Sequence, residues 1–168
     1  MNLIIFIILG YIFSILECTL ISIFPSMLKP DLLLITTLYL ATSFGFKKGS
    51  FLSLYFGYLK GIFSGRWIGV NIFLYTTIFV ISHSINRQFY FREGFSQSIY
   101  LIIFSIFHNL LFVLILKFVT PTTNTIYFEI LKWILPIAIL NMFFGYLIFP
   151  ILKKLDIAKE KELSKTIY

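Results

Sequence analysis

Charge is what this chain has least of. Asp, Glu, Lys and Arg make up 12% of its 168 residues, against about a quarter in ordinary soluble domains. With 59% hydrophobic residues and a mean hydropathy of +0.94, a soluble globular domain is excluded. Cysteine is nearly absent. Cys18 stands alone and cannot close an internal disulfide. Bulky Leu16 and charged Glu17 precede it, where a lipoprotein signal would carry small residues. The N-terminus lacks the basic start of a cleaved signal peptide, and its apolar run is too long for one. It reads as a retained first span.

Chemistry-bearing patterns are missing too. There is no G-x-S-x-G, no H-E-x-x-H, no P-loop and no pair of acids facing each other within one helix. His83 and His108 have no cysteine or acid at ligand spacing, so no metal site is expected. Catalytic residues and cofactors are expected to be none. The formal net charge of +7 would suggest nucleic acid in a soluble protein. Here most of it falls in loops on one side, which is a topology signal; the expected medium is a lipid bilayer, with no nucleic-acid partner.

What is present is apolar length. The composition predicts an all-α, polytopic membrane protein, a bundle of six transmembrane helices at about 2–24, 31–46, 49–64, 67–85, 97–119 and 126–152. Residues 1–155 form one transmembrane domain, and 156–168 a short charged tail, read as a short frayed helix. Lys47, Lys48, Arg87, Arg92, Lys153, Lys154, Lys159, Lys161 and Lys165 lie on one side. Lys29, Arg66, Lys117 and Lys132 lie on the other. The first group belongs in the cytoplasm, which places both termini there. Trp67 and Trp133 fall at outer boundaries, where indoles prefer to sit. The many Phe and Tyr side chains read as lipid-facing bulk. Spans two and three are short, since sixteen helical residues rise about 24 Å against a hydrocarbon core of about 30 Å. Two short spans are favoured over a re-entrant pair, because Lys47 and Lys48 in the turn belong in water.

The stretch 30–71 organises the rest. It carries a glycine series, Gly57, Gly61, Gly65 and Gly69, whose four-residue spacing shares roughly one helical face as far as the break near Ser64-Gly65. Without large side chains there, another backbone approaches closely, either within the bundle or from a partner helix. The bland reading packs the glycines between spans two and three.

Charged groups inside spans need a partner or a role. Glu17 lies about 22 Å, and Lys60 about 16 Å, from the inner ends of their spans, so both sit in the outer half. An ion pair between them is the expectation, set against Lys60 reaching for the interface with Glu17 neutral or hydrated. Asp31 opens span two, where the helix dipole favours an anion, and Arg66 lies at the same level. Glu17, Asp31, Lys60 and Arg66 could form an outer polar rim, as a structural cap or a ligand site. His108, Asn109 and Asn141 lie mid-span and are expected to hydrogen-bond across helices. A proton relay through His108 would need an acid nearby, and none lies in span five or near the middle of span six.

Pro30-Asp31-Leu32-Leu33-Leu34 opens a span, the glycine series follows through Ser64-Gly65 to Ile68-Gly69, and Leu140-Asn141 precedes Phe149-Pro150-Ile151-Leu152-Lys153-Lys154-Leu155. Together these resemble MreD, the rod shape-determining membrane protein family of bacteria, over nearly the whole chain. The family often carries an acid where this chain has Gly61, so that acid's role does not transfer. The resemblance implies a non-enzymatic scaffold of the peptidoglycan elongation machinery, in the plasma (inner) membrane and regulating cell shape. It implies MreC as direct partner, with MreB, RodA and a penicillin-binding transpeptidase in the same complex. The family fold is also similar to the substrate-binding S-components of vitamin importers. That supplies the alternative, a small-molecule-binding component of an energy-coupling importer, against which the outer loops, short except for the Thr120 to Thr125 region, argue.

Overall fold

A computed structural model describes residues 3–20, 29–65, 67–86, 95–119 and 124–166, leaving aside the side chains of 20, 95, 124–130 and 156–166. The described residues form six helices: α1 Leu3–Leu20, α2 Leu32–Ser43, α3 Phe46–Ser64, α4 Ile68–Asn86, α5 Phe95–Val119 and α6 Asn124–Thr166. Three helical stretches, Ile68–Asn86, Ser96–Val119 and Leu131–Leu155, are long and apolar enough to cross a membrane.

The shortest helix is the centre. Every residue of α2 from Leu32 to Ala41 is buried, which its sequence allows because it is apolar on all sides. Its two interior threonines satisfy themselves: the hydroxyls of Thr36 and Thr37 donate to the carbonyls of Leu32 and Leu33 at 2.7 and 2.8 Å. All five other helices pack on α2. Around it α1 packs on α3, α3 on α4, α4 on α5 and α5 on α6. Among the described residues this ring stays open between α6 and α1. There the Tyr39 ring of α2 lies between Phe6 of α1 and Phe149 of α6.

Three boundaries differ most from those read in the sequence. The helix expected over 31–46 stops at Ser43, because Phe44 and Gly45 are extended. Phe44 turns its ring edge-on against Phe6, at 4.8 Å between centroids, and burying it draws the chain out of the helix. Lys47 and Lys48 consequently stand in the first turn of α3 rather than in the turn before it. At the far end, the expected separate tail helix is a continuation of α6, which runs through Pro136 and Pro150 to Thr166.

The α3–α4 hairpin turns on two left-handed residues. Gly65 caps α3 at φ 66°, and Trp67 follows at φ 57°, a conformation that needs outside support in a non-glycine residue. Asn71 gives it: its backbone N–H and its side-chain amide both donate to the Trp67 carbonyl, at 3.0 and 3.1 Å.

Candidate functional site

A helix N-terminus leaves backbone N–H groups without intrahelical partners, and that of α2 is enclosed by other helices. The surrounding side chains meet this demand. Asp31 caps the helix, its Oδ1 accepting from the Leu34 N–H at 3.0 Å. Glu17, from the last turns of α1, accepts from the Leu33 N–H at 3.1 Å. The N–H of Asp31 itself donates to Asn141 Oδ1 of α6 at 2.7 Å. The positive end of the α2 dipole favours each of the two carboxylates, although they repel each other.

One lysine answers both acids. Lys60 Nζ of α3 donates to Glu17 Oε2 at 2.7 Å and stands 3.1 Å from Asp31 Oδ1. The Tyr75 hydroxyl of α4 also donates to Asp31 Oδ1, at 2.6 Å. The cluster extends through Asn141, whose Nδ2 donates to Ser105 Oγ of α5 at 2.7 Å. Side chains from α1, α3, α4, α5 and α6 thus converge on the first turn of α2.

The structure therefore joins two groups that the sequence kept apart. Glu17, Asp31 and Lys60 make an interior cluster rather than a rim, with side-chain exposures of 7, 13 and 15%. Asn141, read as a separate mid-span contact, hydrogen-bonds directly into it. Arg66 lies outside the described residues. Asn109 bonds within its own helix, to the Ser105 carbonyl at 2.8 Å. His108 is buried, and among the described residues neither ring nitrogen has a hydrogen-bond partner. Its ring meets that of Tyr75 edge-on at 5.4 Å. Asp31 is thus two steps from His108 through Tyr75, an acid that the sequence of span five did not reveal.

Sequence reasoning missed Tyr75 and Ser105. Their signal was present: a tyrosine and a serine inside apolar helices.

The glycine series divides. An added methyl on Gly57 would come within 2.6 Å of the Ile72 Cα, and one on Gly61 within 2.5 Å of the Ile68 Cα. Both glycines serve the α3–α4 contact, where two backbones touch, and not a contact with α2. Gly65 is the left-handed cap, and among the described residues nothing lies within 4 Å of a methyl added at Gly69. The four do not form one continuous face.

At the opposite end of α2, the Tyr100 hydroxyl of α5 meets Ser82 of α4 and donates to the Leu38 carbonyl at 3.4 Å. The Nδ1–H of His83 donates to the Ala41 carbonyl at 3.0 Å. Both ends of the central helix are thus tied to its neighbours through polar contacts.

Apolar helices wrapped around a short buried one, with a charged cluster at its capped end, define a helical membrane protein. The model of the rod shape-determining protein MreD matches residues 1–156, and the chain belongs to that family. No curated protein and no solved structure matches it. Membership carries a role in determining rod shape.

Proposed function

We propose that this protein is the non-enzymatic membrane scaffold of its cell's peptidoglycan elongation machinery, binding MreC and helping to position the wall synthases. The observation that carries the reading is the family match over 1–156. The packing supports it, because the centre of the bundle is occupied by α2 and its polar contacts. MreB, RodA and a penicillin-binding transpeptidase are the expected companions in the complex.

In this reading the chain lies in the bacterial inner membrane, crossing it six times with both termini in the cytoplasm. Lys47, Lys48, Lys153 and Lys154, all exposed, mark the cytoplasmic side. At about 18 Å, α2 covers only part of the bilayer and does so shielded by its neighbours.

Removing the protein from its own cell tests the shape role. Rod-shaped cells are expected to round up, and the wild-type chain to restore them. Cells that keep their shape and their pattern of wall insertion without it overturn the proposal.

A further inference from the structure

Glu17 and Asp31 share one cation. Lys60 stands within ion-pair distance of both, and among the described residues no second cation does. The other groups facing the pair are the Tyr75 hydroxyl from α4 and the Asn141 amide from α6, and the cation Lys29, just ahead of α2, lines the same pocket as Glu17 and Lys60 outside ion-pair distance. Further out lies His108 of α5, behind the Tyr75 ring. Among the described residues at ion-pair distance, two carboxylates against one ammonium leave one negative charge in excess. The N-terminus of α2 offsets about half of a unit charge, and an uncompensated buried charge is expensive.

Of the two acids, Glu17 borders open space. A pocket of about 270 Å³, counting the space open to solvent, is lined by both Glu17 and Lys60. Ser14, Cys18, Lys29, Leu33, Phe63 and Ser64 form the rest of its wall. Among the described residues this pocket adjoins Glu17 and Lys60 from the side of α1 and α3.

We propose that Glu17 and Asp31 form a proton-binding site, holding a single proton between them at neutral pH and exchanging it with water through this pocket. The proton comes from water as hydronium, forms one O–H bond to a carboxylate oxygen and leaves by the same route. Bound, it gives Lys60 one charged partner instead of two, so proton occupancy sets how Lys60 divides its hold between α1 and α2. The site is independent of the scaffold reading.

Infrared difference spectroscopy on the full-length protein in detergent, with H2O exchanged for D2O, tests this directly. The wild type is expected to show a deuterium-sensitive carboxylic-acid carbonyl band at neutral pH that disappears as the pH is raised. Glu17→Gln and Asp31→Asn should each abolish it, since either leaves one carboxylate for one lysine, while His108→Asn should keep it. Absence of the band from the wild type overturns the proposal, as does a band that survives both acid substitutions. Should a variant fail to fold, the wild-type spectrum alone decides. A second readout is stability. A folded state holding a proton that the unfolded chain has lost should show its unfolding constant rising by up to about tenfold per pH unit. A constant that does not rise with pH contradicts the site.

Discussion

Lys60 is the residue on which most depends. It has two carboxylates within ion-pair distance, and neither has another cation at that range among the described residues. Replacing it with Met keeps the length of the stem but removes the charge, stranding Glu17 and Asp31. Breaking a buried pair in this way costs about 3–5 kcal/mol. The Lys60→Met protein is therefore expected to melt well below the wild type in a thermal scan in detergent, and an unchanged midpoint would show that the pairs contribute nothing. Asn141→Leu removes two bonds that cross between elements, and a loss of about 1–2 kcal/mol is expected from the usual strength of such contacts. Asn109→Leu breaks only a bond back to its own helix and should stay within about 0.5 kcal/mol of the wild type. Equal losses from the two substitutions would contradict the assigned roles.

At the scale of elements, the α3–α4 hairpin and α2 behave differently. The hairpin is held by backbone contact at Gly57 and Gly61, where no rotamer change can make room for a side chain. Overpacking usually costs about 1–3 kcal/mol, and a clash with a backbone belongs at or above the top of that range. Gly61→Leu is thus expected to reduce the yield of monodisperse protein, whereas Gly69→Ala, facing open space, should match the wild type. If Gly61→Leu folds normally and loses only its partners, Gly61 faces a partner and not α4. The spacing of these glycines was legible in the sequence because period four marks a helical face. Their neighbour was not, since a hairpin between spans three and four and a contact between spans two and three present the same pattern. The end of α2 was missed for a related reason. Phe44 fits a helix as well as a loop until the position of Phe6 is known.

Across the whole molecule, helix number and broad order could be read from apolar length, which responds to the bilayer and not to tertiary detail. The interior cluster was legible only in part. The depths of Glu17 and Lys60 follow from counting residues along helices, so their proximity could be anticipated. The entry of Asn141 into the same cluster depends on how α6 lies against α2, and counting along one helix carries no information about that. Beyond that cluster α1 and α6 keep apolar faces exposed, with Ile8 and Ile12 on one and Leu135, Ile139 and Phe143 on the other.

The central claim is that this bundle acts as a scaffold for wall elongation. Its most direct test is to purify the tagged protein from native membranes in mild detergent and identify by mass spectrometry what accompanies it. MreC together with wall-synthesis enzymes is the expected result. Recovery instead of the ATPase subunits and coupling protein of an importer would contradict it, and would make the pocket beside Glu17 and Lys60 a small-molecule site.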